Sequence, residues 1–185
     1  MNKTNEQRGF TLVEMLVVIA ILGILMAMMI PAAGMILKRA KVASTKGDAG
    51  VVAATMMKYR MEYNRWPSWT TSGLPEGYPT DKKWVETMCP PAGSPRSPDN
   101  FNMILFFEPG GGALAPATSA FAGAFVDPWG NPYRFCVDAD GDGQIQSPDL
   151  NSTKLIQAQV IAWSAGSDGD YATFPNDEKV ESWER

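Results

Sequence analysis

Histidine is absent from this chain of 185 residues. Without it the chain cannot build Ser-His or Cys-His nucleophile pairs, histidine general bases or most catalytic zinc sites. Basic residues are also too few for a nucleic-acid partner, because 16 Lys and Arg face 20 Asp and Glu and the net charge is -4. Histidine-based catalysis and a strongly basic binding surface are therefore excluded, while other enzyme chemistries stay open at this point.

Cysteine is scarce as well, and the two residues, Cys89 and Cys136, form no Cys-Xaa-Xaa-Cys pair. In an extracytoplasmic compartment they can form one disulfide. Otherwise they are two small buried apolar residues. The sequence leaves both alternatives open.

One long apolar block, RGFTLVEMLVVIAILGILMAMMIPAAG, occupies residues 8–34. Residues 15–37 carry no charge and would form a helix about 35 Å long, enough to cross a hydrocarbon core of about 30 Å. A cleaved secretory signal with Lys3 and Arg8 before it is the alternative, but its apolar region would span only about 7 to 15 residues. The sequence therefore predicts a single transmembrane helix, and the rest of the chain is long enough for one modest domain with a core of its own.

Glu14 lies at the start of this predicted helix, and a lipid-facing carboxylate costs about 2.5 to 3.5 kcal/mol. Arg8 is the only Lys or Arg in the block, and it does not stand at the i+3 or i+4 spacing that would pair it with Glu14. Either Glu14 is a tolerated polar residue near the membrane interface, or its counter-charge comes from elsewhere. A new α-amino group on a neighbouring copy of the chain is one candidate.

The stretch Arg8-Gly9-Phe10-Thr11-Leu12-Val13-Glu14, followed by an apolar helix, resembles the class III signal of type IV prepilins and type II secretion pseudopilins. In that family a membrane-embedded prepilin peptidase cuts after the glycine and methylates the new amino terminus. The resemblance implies cleavage between Gly9 and Phe10, N-methylation of Phe10, and a role for Glu14 in assembly. Its carboxylate would neutralise the amino terminus of Phe10 on a neighbouring subunit.

The flanking charges predict the opposite topology from the resemblance. More Lys and Arg follow the apolar block than precede it, which by itself places the C-terminal side in the cytoplasm. The resemblance implies a cytoplasmic N terminus and a periplasmic C-terminal domain in the inner membrane. We follow the resemblance, because the peptidase acts on the cytoplasmic side and a long domain can translocate despite flanking charge.

The helical pattern continues beyond the apolar block. Steps of three and four residues place one stripe on a single helix face, where core packing against a sheet is expected: Val42, Thr45, Ala49, Val52, Met56, Tyr59 and Tyr63. The helix should end by Trp66-Pro67. Residues 63–67 also resemble the Tyr/Gly-Arg-Tyr-Pro signature of the major pseudopilin of type II secretion.

The predicted fold is α+β and type IV pilin-like, with a long N-terminal helix, half of it transmembrane, packed on a small antiparallel β-sheet with irregular loops. The predicted segments are a leader (1–9), the transmembrane half of the helix (10–37), its amphipathic periplasmic half (38–66), a variable connection (67–124) and a sheet with calcium-binding loops (125–185). In the connection, residues 101–107 are the one firmly ordered apolar segment expected, and a short helix is expected at 82–87 or 100–107.

Two blocks near the C terminus carry the rest of the resemblance. Residues 127–133 predict a turn and then a strand over 133–137, and they resemble the Asp-Pro-Trp-Gly-Asn-Pro-Tyr element of the G-type major pseudopilin. Residues 160–169 resemble the strand and Ser-Xaa-Gly-Xaa-Asp-Gly loop of the same proteins, and residues 177–183 resemble their C-terminal ending.

Residues 138–149 have the ligand spacing of a twelve-residue calcium loop. The predicted ligands are Asp138, Asp140, Asp142, the carbonyl of Gln144, and Asp149 at the last position. Asp149 departs from the usual glutamate, and a strand rather than a helix precedes the loop. The alternative is an acidic surface turn, although close carboxylates without a cation would repel one another.

The resemblance implies a second calcium loop after the last strand. Ala165 would contribute its backbone carbonyl and Asp168 its carboxylate, and Asp177 matches a further ligand loosely. Residues 171–175 replace the glycines normally found there. The sequence does not decide which loop is occupied.

These features together predict a non-enzymatic filament subunit, the major pseudopilin of a type II secretion pseudopilus that helps move proteins across the outer membrane. The implied partners are other copies of the chain, minor pseudopilins, prepilin peptidase, membrane lipid and an inner-membrane assembly platform with a cytoplasmic ATPase, but no nucleic acid. The alternatives are a type IV pilus major pilin and a membrane-tethered calcium-binding module that does not polymerise. A calcium-dependent hydrolase would need paired acids outside the loops, and the sequence shows none.

Overall fold

The computed structural model describes residues 10–70, 76–149, 154–171 and 180–182, without the side chains of 28–33, 180 and 181. Its helices are α1 (Leu12–Tyr63) and α2 (Lys82–Met88). The strands are β1 (Tyr78–Pro79), β2 (Arg134–Val137), β3 (Gln144–Gln146), β4 (Leu155–Gln157), β5 (Val160–Ser164) and β6 (Val180–Glu181). The chain forms two compact units, Met1–Ala40 and Lys41–Arg185. The predicted α+β class is confirmed.

The first unit holds the N-terminal part of α1, whose apolar side chains are largely exposed. In the ranges that the structure describes, no helix is both long and apolar enough to cross a membrane. The transmembrane half proposed for residues 10–37 is therefore not confirmed and stays a prediction. The leader, residues 1–9, lies outside the described residues.

In the second unit, α1 buries the predicted stripe. Thr45, Ala49, Val52, Met56 and Tyr59 are buried, and Val42 and Tyr63 are half-buried. The helix ends at Tyr63 because Asn64 adopts a left-handed conformation with φ 51°. Asparagine is one of the few residues that takes this helix-ending conformation readily. The predicted end before Trp66-Pro67 is confirmed.

The main sheet has the strand order β1-β2-β5-β6, and all of its described pairings are antiparallel. Successive side chains of a strand point to opposite faces, so β2 and β5 each contribute residues to two apolar clusters. On one face, Phe135 and Ala162 join the main core with the stripe of α1 and Trp84 of α2. On the other face, Ile161 and Trp163 pack with the β3–β4 hairpin. Both predicted strand positions are confirmed.

The connection contains the predicted short helix at the first of its two proposed positions. Helix α2 begins after Asp81, whose side chain accepts a hydrogen bond from the backbone N–H of Trp84 at 2.9 Å. Residues 100–107 form no helix, and Phe101 and Leu105 are exposed. The sequence predicted that 101–107 would be the one firmly ordered apolar segment of the connection. The structure shows a second one, because α2 also contributes to the main core.

The cysteines are both free and half-buried. Cys89 packs against the main core, whereas Cys136 packs against the second cluster. Burial raises the pKa of both thiols, for Cys136 to about 12. The structure therefore favours two packed apolar residues over the disulfide, and their high pKa makes these thiols unreactive near neutral pH.

Candidate functional site

Helix α1 begins with a capping box, a feature that the sequence analysis missed. The Glu14 carboxylate accepts hydrogen bonds from the backbone N–H and the hydroxyl of Thr11, both at 2.8 Å. In return the backbone N–H of Glu14 donates to the Thr11 hydroxyl at 3.3 Å. The Thr-Leu-Val-Glu sequence has the Thr-Xaa-Xaa-Glu spacing typical of this cap, so the signal was present. Glu14 therefore has local polar partners at the positive end of its own helix dipole.

The predicted cleavage site lies just before this cap. Gly9 is outside the described residues, and Phe10 is 75% exposed. Cutting between them would leave Thr11 and Glu14 together in the mature chain. The capping box would thus be available both before and after cleavage.

Three of the predicted calcium ligands come together in the second unit. Asp138, Asp140 and Asp142 each offer a carboxylate oxygen, and these atoms lie within 4.8 Å of one another. Asp138 is buried, while Asp140 and Asp142 are exposed. Carboxylate oxygens are the hard ligands that calcium prefers, so this donor set fits the ion. We call these three residues the aspartate cluster.

The loop around the cluster forms because β2 ends in a tight turn. The carboxylate of Asp138 accepts hydrogen bonds from the backbone N–H groups of Gly141 at 2.7 Å and Gly143 at 3.0 Å. Gly143, at the sixth loop position, has φ +79°, a conformation that favours glycine. The glycine expected at the sharp turn of a calcium loop therefore stands where the backbone requires it.

Two predicted ligands of this loop are not part of the aspartate cluster. Gln144 begins β3, where it pairs with Gln157 of β4. Asp149 follows that strand and is absent from the group of clustered carboxylates. Residues 144–146 are extended and pair with β4. The roles of the Gln144 carbonyl and of Asp149 as ligands therefore stay predictions.

The second predicted loop follows β5. Ala165 is buried, and Asp168 is exposed at the end of a short 3-10 helix, Gly166–Asp168. One Asp168 oxygen accepts a hydrogen bond from the backbone N–H of Asp170 at 3.1 Å. Asp177 lies outside the described residues. Across the described ranges Asp168 joins no metal-binding group of three or more residues, so this site stays a prediction.

The turn that begins at Asp127 forms hydrogen bonds with residues at the start of this second loop. The sequence did not predict these contacts. Asp127 is buried, and its carboxylate accepts a hydrogen bond from the Ser164 hydroxyl at 2.6 Å. The Asn131 side chain donates to the carbonyl of Gly166 at 2.9 Å. Burial raises the pKa of Asp127, although hydrogen bonds from Ser164 and the turn backbone oppose the rise. An aspartate followed by proline and glycine is a turn signal, but its long-range partners are not visible in sequence.

The two candidate loops leave the same pair of strands at opposite ends. In the β2–β5 pair, Val137 is opposite Val160 and Arg134 is opposite Trp163. Asp138 therefore follows the end of β2, and Ala165 follows the far end of β5. A strand of this length spans more than about 10 Å, so the loops cannot share one ion.

Comparison with known proteins finds a family model for the N-terminal region and several relatives that match part of the chain. The model of the prokaryotic N-terminal methylation motif matches residues 4–30, which include Phe10 and Glu14. Partial relatives include a type IV major pilin of Neisseria gonorrhoeae, 36% identical over 77 residues, which are 42% of this chain and 47% of the pilin. A fimbrial protein of Neisseria meningitidis is 35% identical over 83 residues, or 44% of this chain and 49% of that protein. No solved structure matches.

One relative matches along almost the whole chain. Type II secretion system core protein G of Pseudomonas aeruginosa is 31% identical over 179 residues, which are 97% of this chain and 96% of that protein. The match thus includes the long helix, the connection and both C-terminal blocks. The chain belongs to the family of type II secretion system core protein G, the major pseudopilins.

Proposed function

We propose that the chain is the structural subunit of a type II secretion pseudopilus and that it polymerises through α1 after cleavage and N-methylation. The observation that carries this proposal is the near-full-length match to a type II secretion core protein G. The N-terminal methylation motif over residues 4–30 supports the processing step. In this role the chain needs no catalytic residues of its own and helps to move other proteins across the outer membrane.

The proposal places residues 10–37 in the inner membrane before assembly, with the N terminus in the cytoplasm and the second unit in the periplasm. Apolar side chains along this part of α1 are exposed, among them Leu22, Met26 and Leu37. Exposed apolar side chains of this kind require lipid or neighbouring helices to cover them. The pseudopilus would supply those neighbours once subunits leave the membrane.

Within the filament, Glu14 would pair with the methylated amino terminus of Phe10 on a neighbour. In the single chain the capping box satisfies the carboxylate with neutral donors. A cationic amino group in an apolar environment is a stronger partner than a neutral donor. Extraction would further require prepilin peptidase, minor pseudopilins and an assembly platform driven by a cytoplasmic ATPase.

A type IV pilus major pilin is the second candidate, favoured by the partial match to the Neisseria gonorrhoeae pilin. That match covers 42% of the chain, whereas the secretion relative covers 97%. A strain that lacks this gene and loses protein secretion but keeps its surface pili would support the secretion assignment. Loss of pili with normal secretion would favour the pilin instead.

Mass analysis of the mature protein tests the processing step. We expect the mature chain to begin at N-methylated Phe10, because the resemblance to prepilins implies a cut after Gly9 and the methylation motif over residues 4–30 supports this processing. A Gly9→Val variant should remain full-length, since a branched side chain would occupy the cleavage position. A wild-type protein that begins at Met1, or after Ala33, would contradict the prepilin interpretation.

We also propose that the loop 138–149 binds calcium through the aspartate cluster, with Asp138, Asp140 and Asp142 as ligands. Three carboxylate oxygens within 4.8 Å of one another and a glycine at the turn support it. A second site with the Ala165 carbonyl, Asp168 and Asp177 rests on the family resemblance alone. Calcium at either loop would stabilise the second unit of the chain.

Calcium should therefore raise the thermal stability of the protein. At a hundredfold excess over its dissociation constant, an ion that binds only the folded state adds about 2.7 kcal/mol. For a chain of this size that corresponds to a rise in melting temperature of about 5 to 10 °C. Differential scanning calorimetry of the full chain in detergent, with calcium and with a chelator, measures the change.

The variant D140N/D142N should lose most of this rise if the aspartate cluster is the main site. Glu86→Gln is the matched control, because Glu86 is an acid elsewhere on the surface and pairs with Lys82. An unchanged calcium response in D140N/D142N would contradict the assignment to this loop.

A further inference from the structure

Asp138 is anchored through both of its backbone groups. Its carbonyl accepts a hydrogen bond from the indole N–H of Trp66 at 2.7 Å and another from the Arg60 guanidinium at 3.3 Å. Its N–H donates to the carbonyl of Gln159 at 2.9 Å, which continues the ladder between β2 and β5. The residue at the first loop position is thus fixed by contacts distant in sequence.

The two side chains that donate to the Asp138 carbonyl, those of Trp66 and Arg60, also contact each other. Trp66 is buried, and the Arg60 guanidinium lies over its indole ring at 4.6 Å from the ring centre. Such a cation–π contact orients both groups. Arg60 belongs to the last turn of α1, and Trp66 follows the helix directly. The end of α1 therefore contacts the calcium loop through these two side chains.

Fixing the backbone of Asp138 also fixes the direction of its side chain. With both peptide groups held, the Cα–Cβ bond points to the interior of the loop, where the carboxylate meets Gly141 and Gly143. Asp140 and Asp142 are exposed, and one Asp142 oxygen accepts a hydrogen bond from the Gln144 N–H at 2.8 Å. Asp138 is the buried member of the cluster and is also anchored through its backbone, so a cation site is organised around it.

We propose that Trp66 and Arg60 are positioning residues of the calcium loop 138–149, so that calcium binding there is coupled to the end of α1. This inference rests on the proposed calcium function of the loop. Groups that orient a metal ligand without touching the metal commonly account for about 10- to 100-fold in affinity. By thermodynamic reciprocity, calcium should in turn stabilise the segment that holds its ligand.

The affinity test compares two tryptophan variants. Trp66→Phe removes the N–H donor but keeps an aromatic ring for Arg60. Trp69→Phe is the matched control, because the indole N–H of the nearby, half-buried Trp69 has no hydrogen-bond partner among the described residues. Isothermal titration of full-length protein in detergent with calcium chloride should show about tenfold weaker binding for Trp66→Phe and less than twofold change for Trp69→Phe.

Two further variants separate the inference from the proposed function. In the titration, D140N/D142N identifies the calcium-binding step that belongs to this loop, because that step should be missing from the variant. If no binding step is missing, both the calcium site in this loop and the positioning role are wrong. If D140N/D142N removes a step that Trp66→Phe leaves at wild-type affinity, the calcium site stands and the positioning role is wrong. Arg60→Gln, which removes one donor and the ring contact, should also weaken that step, so the test does not depend on the folding of one variant.

Hydrogen exchange provides a readout that a purely structural role would not change. Calcium should slow amide exchange at residues 60–66 in the wild-type protein and in Trp69→Phe, but much less in Trp66→Phe. Equal calcium-dependent protection in all three proteins would overturn the coupling.

Discussion

Replacing Glu14 by alanine is expected to abolish pseudopilus assembly while the subunit still inserts into the membrane. The alanine variant would leave the amino terminus of Phe10 on each neighbour without a counter-charge in an apolar environment. Removing one partner of a buried ion pair costs about 3 to 5 kcal/mol, which is more than a hundredfold in a binding equilibrium. Electron microscopy and recovery of sheared filaments measure assembly, and membrane fractionation measures insertion.

Glu14→Gln separates the two contacts that the structure and the proposal assign to this residue. Glutamine can take the place of glutamate in a capping box, so the helix start with Thr11 should persist. The negative charge is lost, however, and assembly should fail as it does for Glu14→Ala. Normal filaments from Glu14→Gln would show that the carboxylate acts as a helix cap and would contradict the charge pairing. Absence of filaments from the wild-type protein as well as from Glu14→Ala would favour a module that does not polymerise.

Asn100→Ala is expected to destabilise the second unit by about 3 to 4 kcal/mol. Asn100 is 1% exposed. Its amide donates to the carbonyls of Thr87 and Ile104, both at 2.8 Å, while its oxygen accepts from the Ile104 N–H at 2.9 Å and from the Tyr63 hydroxyl at 2.7 Å. Alanine would leave these buried groups without partners and would release the connection from the ends of α1 and α2.

Thermal unfolding of the full chain in detergent measures this change, with an expected fall in melting temperature of about 10 °C. Asn102→Ala is the control, because Asn102 is exposed in the same loop and surface substitutions usually change stability by less than about 0.5 kcal/mol. A melting temperature for Asn100→Ala equal to that of Asn102→Ala would show that the connection is not held by this side chain.

Short-range patterns were sufficient to predict the helix, its end and several strands. The stripe on α1 follows from helical periodicity, and its end follows from the bias of the residue before Pro67. The strands around Phe135 and Ala162 follow from local composition and family resemblance. These predictions succeeded because each depends on neighbours in sequence, and the near-full-length relative confirms the family that the N-terminal motif indicated.

Long-range contacts account for what the sequence did not show. The spacing of residues 138–149 correctly grouped Asp138, Asp140 and Asp142, which are separated by single residues. Asp149 follows β3, which pairs with β4, and its predicted role as a ligand stays a prediction. Nothing in the sequence pairs Asn100 with Tyr63 across the connection.

The amino-acid sequence alone is thus enough to identify the pseudopilin motif, the isolated charge of Glu14 and the acidic loop, since these are contiguous patterns. The anchoring of Asp138 by Trp66 depends on the tertiary structure, because the two residues are 72 positions apart. Their contact exists only once β2 has paired with β5 and the core has packed against α1. Side chains so distant in sequence meet through the combined geometry of several elements, which no local pattern encodes.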